Sequence, residues 1–246
     1  LVRSRGLGDV YKRQTLGGVA HIIGDNFRGY HPAYAPLMRQ DDKMAAFYTD
    51  RDTGRWVEKA IAHAICERVN IIIEGTMRDS TKVEETMKNL RQAGYQVDAR
   101  VLVVKSELSW QGIIQRYEAQ KADRGAGRMT TPTSHQASYD GVPITVAHIE
   151  QEKLADTLTL YRRGNVVIYQ NELNDGDWIN PPIAQYMIEL ERKRALTEQE
   201  ARDYLNGYEH ILTQITLPER QASIDEINTI RQFCEQARQQ VLKIRA

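Results

Sequence analysis

Short apolar runs alternate with longer amphipathic stretches over the first two thirds of the chain. The apolar runs are rich in Val and Ile and end in polar residues, which is typical of buried strands that lead into loops. Four strands are predicted, at residues 19–23, 71–73, 97–104 and 165–169. Apolar positions at helical spacing predict helices between them, over residues 54–68, 81–93, 108–120 and 142–158.

Strands that alternate with helices build βαβ units, in which the strands run parallel. The sequence therefore predicts an α/β domain with a doubly wound parallel sheet covered by helices on both faces. Thr81 and Glu84 have the spacing of a capping box, which would open one helix, and Gly94 would end it. The segment 122–136, rich in Gly, Arg and Thr, is predicted to be a mobile loop.

The pattern changes after Pro181, where strand-like runs give way to helical periodicity. Helices are predicted over residues 183–195, 197–215 and 223–245. Thr197 with Glu200, and Ser223 with Glu226, form two further capping-box pairs. We therefore predict a C-terminal helical extension over 176–246, for which packing alone is a sufficient role.

The first fourteen residues, LVRSRGLGDVYKRQ, have no useful periodicity and carry several basic side chains. We interpret residues 1–14 as a non-native segment, with a natural basic arm as the alternative. The predicted core then occupies residues 15–175.

Composition excludes several classes of function. Lysine plus arginine and aspartate plus glutamate both total 33, so the formal net charge is zero and neither a nucleic-acid nor a membrane-surface partner is indicated. No apolar stretch approaches the length of about 18 residues that a bilayer span needs. Cys66 and Cys234 fit no metal or disulfide pattern, so we expect a reducing, cytoplasmic setting.

Polar side chains follow two of the predicted strands at the point where each strand ends. Asp25 follows the first strand, and Glu74, Thr76 and Arg78 follow the second. The carboxyl ends of parallel strands meet at one edge of a sheet, which is where ligands bind in such folds. A site at this edge is therefore predicted, although a single aspartate after a strand is also typical of a turn or a helix cap.

A second group of candidate residues is cationic. Arg116 lies within a predicted helix, and Arg124 and Arg128 flank a glycine-rich loop. Arginines on a helix and a neighbouring loop can neutralise the charge that develops on a transferred phosphoryl group. The alternative is that they are ordinary solvated surface side chains.

Five segments resemble motifs of the zeta toxin family, in the same order and with similar spacing from about residue 18 to 171. They are GDNFRGYHP at 24–32, GRWVEKAI at 54–61, IEGTMR at 73–78, the pair Arg116-Tyr117, and Arg128 before Thr131-Pro132. The resemblance implies a P-loop kinase that transfers the ATP γ-phosphate to the 3′-hydroxyl of the amino sugar in UDP-N-acetylglucosamine. Such a toxin blocks cell-wall synthesis and is held in check by a cognate antitoxin.

The same resemblance assigns roles to individual residues. Asp25 would be the general base, and Arg116 and Arg128 would clamp the γ-phosphate. Glu74 would orient Mg²⁺ through water. The nucleotide sugar would be held by three further residues, Glu58, Thr76 and Arg78.

One family motif is absent from the sequence. A P-loop kinase needs G-x-x-x-x-G-K-[ST] to bind the ATP phosphates, and none of the 246 residues form this motif. We interpret this as an amino-terminal truncation that removes the first strand with its P-loop, and we expect this fragment to bind ATP poorly and to be inactive. Two alternatives remain open: a P-loop kinase for another small alcohol, and a non-catalytic fragment that binds nucleotide sugar or antitoxin.

Overall fold

A computed structural model describes residues 18–245, which form two compact units that interleave along the chain. The first contains residues 18–34, 48–104 and 132–192, and the second contains 35–47, 105–131 and 193–245. The segment interpreted as non-native, residues 1–14, lies outside the described residues. The predicted core over 15–175 and extension over 176–246 stay predictions.

The described residues form six strands, ten α-helices and two 3₁₀ turns. In chain order they are β1 Val19–Ile23, α1 Gly24–Phe27, a 3₁₀ turn Arg28–Tyr30, α2 Tyr34–Gln40, α3 Ala45–Tyr48, α4 Asp50–Cys66, β2 Asn70–Glu74, α5 Ser80–Gln92, β3 Asp98–Leu102, α6 Ser106–Arg124, α7 Pro132–Gln151, β4 Thr157–Arg162, β5 Val166–Asn174, β6 Asp177–Trp178, α8 Ala184–Lys193, α9 Glu198–Ile215, a 3₁₀ turn Pro218–Arg220 and α10 Ile224–Arg245.

Parallel strand pairing is confirmed for two pairs, but a single parallel sheet is not what the described residues form. Strands β1 and β2 pair in parallel, with Ile23 opposite Glu74. Strands β3 and β4 also pair in parallel, whereas β5 pairs antiparallel with β4, and β6 pairs antiparallel with β5. The second sheet is therefore mixed, because β4 and β5 are joined by a tight turn through Gly164 and Asn165, both at positive φ. The predicted loss of a first strand with its P-loop stays a prediction.

Three local predictions are wrong. The helix predicted over 142–158 ends at Gln151, and the alternating sequence from Thr157 onward forms β4 instead. The segment predicted as the loop 122–136 is partly helical, since α6 ends at Arg124 and α7 begins at Pro132. Helix α5 is capped by Asp79, whose carboxylate accepts from the Lys82 amide. Glu84 pairs with Lys88 and His148 instead of closing a capping box.

The core of the first unit lies around β3, β4 and the helices α7 and α8. Leu158 and Leu160 of β4 are fully buried against Ile149 of α7 and Ile188 of α8. A smaller cluster, with Ile22 and Ile61 at its centre, joins β1 to α4. Burial of such side chains contributes about 1.5–3 kcal/mol each, so this packing fixes the strand ends that carry the candidate site.

The second unit packs α6 against the C-terminal helices α9 and α10. Tyr208, Ile211 and Ile230 form its buried core. Gly207 lets α9 approach α6 closely, because a Cβ there would lie 2.7 Å from the side-chain nitrogen of Gln115. Both predicted C-terminal capping boxes are confirmed, at Thr197 with Glu200 and at Ser223 with Glu226.

A buried ion pair adds to the packing of this unit. Glu118 of α6 accepts two hydrogen bonds from Arg220, at 2.7 and 3.1 Å, and neither side chain is more than 9% exposed. Arg220 also bonds Glu226, which pairs with Lys43 at 2.7 Å. The C-terminal helices are thus tied to the helix that carries Arg116.

Candidate active site

The carboxylate at the end of β1 is held by a buried arginine. Arg28, only 7% exposed, donates from Nε to Asp25 Oδ1 at 3.1 Å. Its Nη1 donates to Thr49 Oγ1 at 2.9 Å, and its Nη2 donates to Asp50 Oδ1 at 2.8 Å. Because a guanidinium is planar and rigid, these bonds fix the direction from which Arg28 reaches Asp25.

Asp50 extends this network to the end of β2. Its second oxygen, Oδ2, accepts from Arg78 Nη2 at 2.7 Å. Burial raises the pKa of Asp50, but hydrogen bonds from Arg28 and Arg78 outweigh it, so the net pKa lies below the ordinary value. The carboxylate is therefore charged at neutral pH, and its stabilising contribution is lost only as the pH falls through that lowered pKa. Four charged side chains, Asp25, Arg28, Asp50 and Arg78, thus join the ends of both strands.

The backbone around Arg78 is also constrained. Met77 has a φ of +51°, a left-handed conformation that non-glycine residues seldom adopt outside turns and functional sites. A Cβ on Gly141 would lie 2.3 Å from the Arg78 carbonyl oxygen, so α7 contacts this backbone directly. A cleft of about 440 Å³ opens beside it, with Arg78, Ser80 and Thr145 among its lining residues.

The other candidates of the first unit lie at the same strand end or on neighbouring helices. Glu74 is mostly buried, and its Oε1 lies 2.8 Å from Nε2 of His21 on β1. Thr76 is exposed in the loop after β2. Glu58, on α4, pairs with Lys82 at 3.0 Å. Between residues 18 and 245 the structure contains no group of three His, Cys, Asp or Glu side chains that could hold a metal ion.

The cationic candidates belong to the second unit. Arg116 is half-buried on α6, and Arg128 is half-buried in the loop that follows this helix. The Arg128 amide donates to Gln120 Oε1 at 2.8 Å. Arg124 is exposed and pairs with its neighbour Asp123 at 3.1 Å.

The sequence analysis did not identify three charged residues that contact these candidates or their neighbours, namely Arg28, Asp50 and Asp42. Arg28 lies three residues after Asp25, a spacing that a short helical turn brings together. No comparable signal marks Asp50, which is 28 residues before Arg78, or Asp42, which bonds residues of α6.

A carboxylate and a guanidinium at the ends of parallel strands, with further arginines on a helix and a loop, are groups that phosphoryl transfer uses. The fold and these groups are typical of mixed α/β phosphotransferases. The chain belongs to the zeta toxin family, whose sequence profile, described as Zeta toxin, matches residues 7–174. This family is one of ATP-dependent kinases.

Individual relatives agree with this assignment. Toxin PezT of Streptococcus pneumoniae is 26% identical over 166 residues, which cover 67% of this chain and 66% of that protein. Toxin zeta of Enterococcus hirae is 26% identical over 202 residues, covering 82% of this chain and 69% of the toxin. The chain therefore spans about two thirds of the length of these relatives.

A solved structure shares the fold. It comes from the PezAT chromosomal toxin–antitoxin system of Streptococcus pneumoniae, with a TM-score of 0.68 and 20% identity. The superposition covers 86% of this chain and 82% of the other. Across residues 18–245, no helix is both long and apolar enough to span a bilayer.

Proposed function

We propose that this chain carries the substrate-binding and catalytic residues of a zeta-toxin-type kinase, which transfers the ATP γ-phosphoryl group to the 3′-hydroxyl of the amino sugar in UDP-N-acetylglucosamine. Because the 246 residues contain no G-x-x-x-x-G-K-[ST] motif, we expect them to bind ATP weakly and to transfer the phosphoryl group slowly at best. The observation that carries the proposal is the charged network joining Asp25 to Arg78, in a chain that belongs to this family. Phosphorylation would divert a cell-wall precursor in the cytoplasm. A cognate antitoxin is the proposed protein partner.

In this proposal Asp25 accepts the proton of the attacking hydroxyl. An alcohol is a poor nucleophile, and a positioned carboxylate orients it and removes its proton as the new bond forms. Arg28 donates a hydrogen bond to Oδ1 of Asp25, and this bond restricts the rotation of the carboxylate.

The nucleotide sugar would lie beside the loop that follows β2. Arg78 can donate to a phosphate oxygen from one side of its guanidinium while Asp50 holds the other side. Thr76 and Glu58 would bond the uridine or sugar hydroxyls, and the adjacent cleft of about 440 Å³ has room for part of the ligand.

Arg116 and Arg128 would neutralise the negative charge that spreads over the transferred phosphoryl oxygens. Mg²⁺ bound to the ATP phosphates would supply further charge neutralisation, and its ligands are usually one or two carboxylates and several waters. Glu74 fits that pattern as a carboxylate that orients a water, with His21 holding its Oε1.

A second candidate function follows from the missing G-x-x-x-x-G-K-[ST] motif. Without it the 246-residue chain would bind nucleotide sugar or antitoxin without catalysing transfer. A kinase for another small alcohol would share Asp25 and the arginines but not the sugar selectivity.

Calorimetry with UDP-N-acetylglucosamine and, separately, with ATP distinguishes these functions. We expect the nucleotide sugar to bind, and Arg78→Ala to weaken its binding at least ~10-fold, because a charge-assisted bidentate contact is worth about 1.5–3 kcal/mol. Binding of both ligands supports the kinase, whereas binding of the sugar alone supports the non-catalytic function. If the chain binds no nucleotide sugar, the kinase and the sugar-binding function are both contradicted, and antitoxin binding is the remaining function.

Asp50→Ala is expected to weaken nucleotide-sugar binding about 5–10-fold, because Arg78 loses the partner that orients it. Calorimetry measures this change. Asp52→Ala is the matched control, since Asp52 lies on the same helix and pairs with His31 and Arg55 instead. Equal losses in the two variants would show that Asp50 has no specific role.

A further inference from the structure

Asp42 makes three hydrogen bonds that join separate parts of the second unit. Its Oδ1 accepts from the Tyr117 hydroxyl at 3.0 Å, and its Oδ2 accepts from Lys121 Nζ at 2.9 Å. The same Oδ2 accepts from the backbone amide of Gly127 at 3.1 Å. Tyr117 and Lys121 lie on α6, one turn apart, and Gly127 lies in the loop that follows. One carboxylate therefore connects the helix to its loop.

The loop at Gly127 is in direct contact with the backbone of α6. A Cβ on Gly127 would lie 2.3 Å from the carbonyl oxygen of Tyr117. Only glycine can be accommodated at this distance, because the Cβ of any other residue at position 127 would clash with the helix backbone. The hydrogen bond from Asp42 holds the amide of this same residue from the other direction.

The residues that Asp42 holds are the sequence neighbours of both candidate arginines. Arg116 precedes Tyr117 on the helix, and Arg128 follows Gly127 in the loop. The distance between the two arginine backbones is thus set by contacts that converge on one side chain. Resting on the proposed function, we infer that Asp42 is a positioning residue that fixes Arg116 and Arg128 relative to each other for phosphoryl transfer.

Asp42 is well suited to this task because it stays charged. Burial raises the pKa of Asp42, but the hydrogen bonds from Lys121, Gly127 and Tyr117 outweigh burial and the net pKa is lowered. Lys121 also bonds the Tyr117 hydroxyl at 2.9 Å, so the donors around the carboxylate support one another. A charge-assisted acceptor of this kind is stronger than a neutral one.

The test measures amide hydrogen exchange of residues 125–131 by mass spectrometry on the full chain, without ligands. Asp42→Ala is expected to raise the exchange rate of this segment at least ~10-fold, since the loop loses its anchor. Asp42→Asn keeps one oxygen that can accept from Gly127, so it should restore most of the protection. Gly127→Ala, which leaves every charge in place, should also raise exchange by displacing the loop.

Turnover of ATP with UDP-N-acetylglucosamine is the second readout. Asp42→Ala is expected to lower kcat about 10–100-fold with little change in KM for the sugar, because misplacing reacting groups by about 1 Å costs up to ~10²-fold. Asp123→Ala is the matched control, because it removes an exposed carboxylate of the same helix that pairs with Arg124. The exchange rate and kcat of this variant should both stay unchanged.

Unchanged exchange in Asp42→Ala overturns the inference, and so does an equal rise in Asp123→Ala. Faster exchange together with unchanged kcat also overturns it, since the loop would then move without consequence for transfer. If the unsubstituted chain forms no product, the proposed function fails, whereas the exchange data still decide whether Asp42 fixes the loop.

Discussion

Asp25→Asn is expected to lower the rate of phosphoryl transfer to the nucleotide sugar by about 10²–10⁴-fold, the range that general-base catalysis contributes. Asparagine has nearly the same shape and can still accept the hydrogen bond from Arg28, but its amide cannot take a proton at neutral pH. Sugar affinity should stay within about 2-fold of its original value. Product formation, followed by mass spectrometry under single-turnover conditions, measures the change.

Two further variants make this result specific to the base. Asp25→Ala should match Asp25→Asn in rate, because both lack the carboxylate, while Arg28 keeps its bonds to Thr49 and Asp50. Asp41→Ala, which removes an exposed carboxylate whose Oδ1 accepts from the Lys43 amide, should transfer at the unsubstituted rate. A normal rate in Asp25→Asn would refute the assignment of this residue as the base.

Arg220→Ala is expected to reduce the free energy of unfolding by about 3–5 kcal/mol, because it leaves the carboxylate of Glu118 buried without its partner. Hydrogen bonds from Arg220 to Glu118 raise the pKa of this guanidinium above its ordinary value, which reflects how strongly the pair favours charge. Urea unfolding followed by circular dichroism measures the loss. The effect should be concentrated in the second unit.

The control for Arg220 is an ion pair on the surface. Arg202 bonds Glu198 at 2.6 Å, but both side chains are 47% exposed, so Arg202→Ala should cost less than about 0.5 kcal/mol. The double variant Glu118→Met with Arg220→Met should recover much of the stability, since it leaves no buried charge. Equal small losses in Arg220→Ala and Arg202→Ala would show that burial adds nothing to the first pair.

Much of the fold follows from local pattern. The apolar runs predict β1, β2 and β3, and the capping boxes at Thr197 and Ser223 predict the starts of α9 and α10. The strand β4 was missed because the predicted helix over 142–158 extends into its first residues, with no Gly or Pro between Gln151 and Thr157 to mark the end of α7. Its pairing with β3 and β5 decides the conformation, and pairing between distant segments leaves little trace in a local window.

The residues of the candidate site also fall into two groups, those that could be predicted from the sequence and those that could not. Residues that directly follow a strand, such as Asp25 and Arg78, can be found from the sequence because chain position alone brings them to one edge. The residues that hold them cannot: Asp50 opens a helix 25 residues after Asp25, and only the packing of α4 places its carboxylate between the two arginines. Asp42 is likewise defined by tertiary contacts alone.

The most direct test of the account is to identify the product that the chain forms from ATP and UDP-N-acetylglucosamine. Phosphorus and proton nuclear magnetic resonance locate the new phosphate on the sugar. Product is expected to form slowly, because the chain lacks the G-x-x-x-x-G-K-[ST] motif. The account predicts that its phosphate lies on the 3′-hydroxyl of the amino sugar and that Asp25→Asn forms none. A phosphate on another hydroxyl, or a nucleotide sugar that binds and is never phosphorylated, would contradict it.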